Sequence, residues 1–195
     1  MKTSRNFARL SKILFLSIIF FVSKMEAQEF TLNNEASQLI VYGTSNLHDW
    51  DVKAEKQSGK LVINQTDNLK ISALKVVVIA ESLKSGKGGM DKNTYKALNT
   101  DKYKTISFEL KDVKSISESG NGTYNISSTG DLTIAGVTKR IGLDFILELK
   151  SNQAILKGKT SLKMTTYGVT PPKALLGTIT TGDEITIEFN SILKR

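Results

Sequence analysis

The sequence predicts an all-β protein: an eight-stranded antiparallel barrel with one short helix, preceded by a signal peptide. Three observations carry this. Residues 123–149 alternate apolar and polar side chains over two long runs joined at Ala135-Gly136-Val137-Thr138. Side chains in a strand point to opposite faces in turn, whereas a helix repeats every 3.6 residues, so this pattern fits strands. Similar runs recur along the chain with hairpin-length links and without the strand–helix rhythm of a parallel sheet. Closing eight such strands into a barrel removes exposed edges that would otherwise invite aggregation.

The elements follow in order. Lys2, Arg5, Arg9 and Lys12 precede an apolar run from Ile13 to Val22, and Ala27-Gln28 offers a cleavage point. That layout predicts a signal peptide over residues 1–27, too short in its apolar run to span a bilayer comfortably, and one domain over residues 28–195. Its removal takes five of the 27 basic and one of the 19 acidic residues, so the charge falls from +8 to +4. A nucleic-acid partner loses its main support with that charge, and no basic–aromatic stripe replaces it. With no cysteine, disulfides, thiol catalysis and cysteine zinc sites are excluded.

Residues 37–45 read as a first strand with Leu39, Val41 and Gly43 on one face. Asn46 to Trp50 is a polar kink holding the sole histidine and the sole tryptophan. Residues 51–57 and 60–65 suggest a short hairpin turning at Ser58-Gly59, and residues 69–83 a long strand with Leu74, Val76, Val78 and Ala80 on one face. Ser85 to Gly89 interrupts the pattern. Residues 90–99 predict the one helix, with Asp91 as N-cap and Tyr95 and Leu98 as an apolar pair. So short a helix must pack on something, and an open barrel end is the obvious place. Residues 105–111 follow as a strand with Ile106, Phe108 and Leu110 inward. In the central pair Tyr124, Ile126, Leu132 and Ile134 face inward, then Ile141, Leu143, Phe145, Leu147 and Leu149. The last strands cover residues 154–164, with Leu156, Leu162 and Met164 inward, and 183–193, with Ile185, Ile187 and Phe189 inward; a loop with Pro171 and Pro172 lies between.

An eight-stranded barrel either fills its interior with its own side chains or holds one small ligand. Small residues interrupt the inward faces: Gly43, Ala80, Ser128, Gly130, Gly158 and Thr160. With an aromatic content of 7%, few rings are available to plug the middle. A lined tunnel follows, although glycines that relieve twist or mark bulges would give the same pattern. An uncharged wall suits an extended hydrocarbon, and ten buried methylenes would supply about 8 kcal/mol at ~0.8 each before ordering costs. By strand parity the expected wall is Val76, Val78, Ala80, Phe108, Ile126, Ser128, Leu132, Phe145, Leu147, Leu156, Thr160, Leu162, Met164 and Phe189.

Among the polar candidates, His48 with Asp49 and Asp51 gives no closed ligand set, because adjacent strand residues point to opposite faces; a structural role at the rim is expected, and no metal. His48, Trp50 and Tyr95 are candidate rim or head-group contacts, and Trp50 fits a cap on the core equally well. The glycine-rich stretch 85–89 lacks a phosphate-cradling arrangement, but Lys84, Lys87 and Lys92 suit transient contact with an anionic head or membrane surface. Asn64, Asn121 and Asn125 occupy glycosylation sequons that turn chemistry explains as well. The helix and the loop 165–181 are candidate gates. No paired nucleophile and base is available for a hydrolase or isomerase, so no catalytic residue is assigned. A filled barrel used as a protein-interaction or stress-response module is the competing class, and a homodimer is compatible with either.

Several stretches resemble the YceI-like family of lipocalin-like, polyisoprenoid-binding barrels. Gly130–Phe145 (GDLTIAGVTKRIGLDF) is similar to its Gly-Asp-Leu-Thr-x-x-Gly-Val-Thr-Lys signature. Residues 81–110 resemble its strand end, lid helix and Tyr-Pro-x-Ile-x-Phe strand, with Lys104 in place of the proline, and Gly43–Trp50 (GTSNLHDW) resembles a variant opening. The resemblance spans nearly all of residues 37–189. It implies a periplasmic or secreted protein holding a long isoprenoid, such as a polyisoprenoid quinone, or another long-chain lipid in the barrel, with no cofactor, metal or catalytic machinery.

Overall fold

The computed structural model describes residues 27–65 and 68–195. The signal peptide expected over residues 1–27 therefore lies outside the described residues, apart from Ala27. From there the chain forms β1 (Ala27–Leu32), β2 (Gln38–Ser45), β3 (Trp50–Ala54), β4 (Gln57–Gln65), β5 (Leu69–Ile79), β6 (Leu83–Lys84), α1 (Gly88–Leu98), β7 (Thr105–Gly120), β8 (Thr123–Ile134), β9 (Val137–Lys150), β10 (Gln153–Lys163), β11 (Lys173–Ala174) and β12 (Ile179–Lys194).

All pairings are antiparallel. β1 pairs with β4 while β2 pairs with β3, and β5 pairs with β4 while β6 pairs with β3. The first six strands are thus three long staves, each bent at the same level. β7, β8, β9, β10 and β12 continue the meander, and β12 closes the ring on β2 and, through Leu32↔Leu193, on β1. The result is a closed eight-stave up-and-down barrel, as the sequence predicts. At the bend the freed backbone groups are met by short polar side chains, as buried peptide groups require. Asn34 Nδ2 donates to Glu55 O at 2.9 Å, Gln57 N donates to Asn34 Oδ1 at 2.7 Å, and Ser82 Oγ donates to Ile79 O at 2.7 Å.

The bend overturns two expectations. Ser58 and Gly59 make no hairpin turn; they lie inside β4, opposite Val77 and Val76. Gly59 serves a close approach instead, since a Cβ there would sit 2.8 Å from Lys75 O. The long strand expected over residues 69–83 stops at Ile79, and Ala80 belongs to a 3-10 turn. β1, for which the alternation gave no expectation, forms the first half of a stave.

The helix begins two residues early, at Gly88, with Lys87 at the N-cap position and no side-chain cap. Asp91 is not the N-cap. Its carboxylate reaches back to accept from Ser85 N at 2.8 Å and Ser85 Oγ at 2.6 Å, tying the entry segment to the first turn. β7 runs to Gly120, well past the expected end at Lys111. Register shifts after Leu110, Val113 and Glu118 break its period-two pattern, so the alternation disappears while the strand continues. The loop 165–181 carries structure of its own: 3-10 turns over Met164–Tyr167 and Leu175–Gly177, and β11 against an early start of β12.

Inward parity in β8 and β9 is as the sequence reads. Tyr124, Ile126, Ser128, Gly130, Leu132 and Ile134 are all buried, and Ile146 on the other face is 40% exposed. The barrel is filled unevenly along its axis. Phe30, Leu61, Ile63, Ile126, Leu147, Ala154 and Leu193 pack one end solid, each at most 2% exposed.

Candidate functional site

Above the packed end the same strands line a hollow. On β10, Ala154 and Leu156 are buried, whereas Thr160 and Leu162, equally inward by parity, are only half-buried. On β12, Leu193 and Ser191 are buried, whereas Phe189 and Ile187 are half-buried. Apolar residues that face inward yet keep accessible surface are looking into space. That space is a cavity of about 470 Å³, within the ~300–1,000 Å³ range of ligand pockets.

Of the expected wall, Val76, Val78, Phe108, Leu132, Phe145, Leu156, Thr160, Leu162, Met164 and Phe189 line the cavity. Ala80, Ile126, Ser128 and Leu147 do not. Ile126 and Leu147 belong to the packed end, Ser128 is buried with its Oγ donating to Leu143 O at 2.7 Å, and Ala80 lies in its 3-10 turn. Parity gives the face of a residue but not its height along the barrel axis, and height separates these groups. Leu39, Val41, Ile106, Ile134, Ile185 and Ile187 join the wall from positions whose parity was legible.

The inward small residues do not open the hollow in the way a tunnel reading supposes. A Cβ on Gly130 would lie 2.3 Å from the Phe108 ring, on Gly158 2.7 Å from the Phe189 ring, and on Gly43 2.1 Å from the Trp50 indole. Each glycine seats an aromatic ring of a neighbouring strand rather than empty space, and two of them also stand at register shifts, Gly130 opposite Leu110 and Gly43 opposite Ile185. The rings seated over these glycines form part of the wall.

The mouth is covered from two sides. Met90, Asn93, Thr94, Ala97 and Leu98 of α1 line the cavity, a stripe at spacings of three and four. Asn93 and Thr94 dilute its apolar character, which hid it in the sequence. Tyr95, expected at the rim, lies off this stripe: its hydroxyl donates to Leu83 O at 3.0 Å, and the Lys84 ammonium sits 5.0 Å from its ring centre. On the other side Val169, Pro172, Lys173, Ala174, Ile179 and Thr181 line the cavity. The two expected gates therefore both border the opening.

His48 reaches the rim, exposed, with Nδ1 donating to Asp49 O at 2.8 Å, while its own carbonyl accepts from Ser45 Oγ at 2.7 Å. Asp51 pairs with Tyr42 on the outer face and does not join it. Trp50 lines the cavity, pinned by Nε1 donating to Thr44 O at 2.9 Å. Among the described residues no cluster of three or more His, Asp or Glu is placed to hold a metal. The formally charged lining residues, Lys87 and Lys173, are exposed. Deeper in, Tyr167 from the loop 164–169 is 1% exposed, and its hydroxyl has no hydrogen-bond partner among the described residues. Burial pushes that hydroxyl above its ordinary pKa, so it stays neutral at physiological pH. No periodicity marks Tyr167 or Val169, and the sequence reading did not find them.

The YceI-like domain model matches residues 30–192. The chain belongs to the YceI-like family. Solved structures share its fold at low identity. BcnA of Burkholderia cenocepacia is 15% identical with a TM-score of 0.67, over 83% of this chain and 98% of that one. A polyisoprenoid binding domain from Saccharophagus degradans, implicated in plant cell wall breakdown, is 13% identical with a TM-score of 0.65, over 85% and 97%. The YCEI protein of Campylobacter jejuni is 18% identical with a TM-score of 0.53, over 72% and 82%. No curated protein matches. In this YceI-like chain the signature strand pair 130–145 supplies the Phe145 wall, the Phe108 seat at Gly130 and the turn at Ala135-Gly136 that stands against Tyr103.

Proposed function

We propose that this YceI-like protein binds a long-chain lipid of polyisoprenoid type in the barrel cavity and acts as an exported carrier or reservoir. The observation that carries the reading is the cavity: apolar along its length, closed at one end by packed side chains and open at the other beneath a helix and a loop. Such a shape favours a ligand with an apolar tail inside and a polar head at the mouth, where His48, Trp50, Lys87 and Lys173 stand. The Saccharophagus degradans domain, described as polyisoprenoid binding, supports the same ligand class. Export rests on the basic–apolar leader of residues 1–27. The role proposed is binding, in keeping with the largely apolar lining.

Native mass spectrometry of the purified protein tests the reading. A co-purified lipid, or its uptake by stripped protein, is expected. Affinity should rise about fourfold per methylene while the tail fits, from ~0.8 kcal/mol each. An isoprenoid series that binds with no dependence on tail length would overturn the proposal.

A further inference from the structure

Three large apolar side chains stand out at the mouth. Leu47 is 66% exposed, Leu175 71% and Leu176 109%, while the other large exposed apolar residues, Tyr42, Ile79 and Ile146, lie near 40% along the strands. The leucines come from two loops joined into one platform. Asn46 N donates to Thr180 O at 3.1 Å, Asn46 Nδ2 to Thr178 O at 2.9 Å, and Thr180 N to Asn46 Oδ1 at 2.9 Å. Leu175 and Leu176 both hold positive φ, 48° and 56°, ahead of Gly177 at 92°. Left-handed backbone is costly for a branched residue, and here it turns two leucines away from the barrel. None of the three leucines lines the cavity, so packing around a ligand does not explain them.

The surroundings fit one occupant. Lys87 and Lys173 sit on the same rim, while Lys84 beside α1 is held against Tyr95 and Asp91. Of the carboxylates on these loops, Asp49 is exposed, and Asp183 is engaged by Thr165 N at 2.9 Å and Thr165 Oγ1 at 2.6 Å. Apolar tips flanked by lysines match the two layers of a bilayer surface, acyl chains below and anionic heads above.

We propose that Leu47, Leu175 and Leu176 dock the cavity mouth onto a lipid bilayer carrying anionic head groups. The leucines enter the interface, the lysines contact the heads, and a tail passes between bilayer and cavity without crossing water. The docking extends the carrier reading, but its contact residues are distinct from the cavity wall.

Co-sedimentation of the protein, without its leader, with phosphatidylcholine vesicles and with vesicles that also contain phosphatidylglycerol tests the proposal. Wild type should bind the anionic vesicles more strongly and lose binding as salt rises. The L175S/L176S variant should lose about tenfold in partition coefficient, L47S should lose less, and I146S on the outer wall should bind as wild type. Leu176→Trp should show a blue shift in emission on the anionic vesicles. Absence of vesicle binding by wild type, or equal binding by L175S/L176S with an unchanged melting temperature, would overturn the docking. Mass spectrometry of the same samples separates the two readings. Lipid held by both proteins with equal vesicle binding removes the docking and keeps the carrier. Vesicle binding lost in the variant, with no lipid held by either protein, removes the carrier and keeps the docking.

Discussion

Thr160→Trp tests the hollow directly. Thr160 points inward from β10, pairs with Ile187 of β12 and lines the cavity half-buried. In a packed core so large an addition forces side chains off their rotamers and costs about 1–3 kcal/mol. In a hollow the indole instead removes apolar surface from water, so stripped protein should keep its stability or gain. The ligand should lose the space. If the indole displaces about four methylenes at ~0.8 kcal/mol each, affinity falls by about 3 kcal/mol, a factor of roughly two hundred. Urea unfolding of stripped protein gives the first quantity, and titration with a farnesyl-to-geranylgeranyl series gives the second. Stability lowered by more than about 2 kcal/mol would show that side chains occupy the space in solution. Affinity unchanged within a few-fold would place the lipid elsewhere.

Tyr167→Phe should raise stability by about 1 kcal/mol in denaturant titration, because it deletes a buried hydroxyl that has no partner among the described residues; a loss of that size would reveal one. Asp91 is held below the usual carboxylate range by the hydrogen bonds from Ser85 and by the nearby Lys84. Its contribution is therefore present above the unfolded pKa of about 3.9 and is lost as pH falls through the lower folded value. Asp91→Asn should cost about 1–2 kcal/mol and speed amide exchange in residues 85–91 at neutral pH while the barrel strands keep their protection. Gly43→Ala should push the Trp50 indole, 2.1 Å from the added carbon, off its bond to Thr44 O. As the chain has one tryptophan, a shift in its emission reports that movement, and an unshifted spectrum would contradict the seating of the ring on glycine.

The sequence alone determined the strands of the second half of the barrel, their inward faces and the meander order of the fold, because period-two alternation and short links are local properties written in consecutive residues. The Gly130–Phe145 signature likewise carried the family. Local signals failed where the backbone changed direction without a turn. The staves bend between β3 and β4 and again after Ile79, and the polar residues whose side chains serve the bend, Asn34 and Ser82, read like ordinary loop residues. β7 vanished from the pattern at its bulges for the same reason. The cavity belongs to the tertiary structure. Leu147 and Phe145 share a strand and a face, yet one is sealed in the packed end and the other lines the hollow, because height along the axis depends on how eight strands stagger as they close. The α1 stripe, Tyr167 and the outward leucines were decided the same way, by which segments meet at the mouth once the ring is shut.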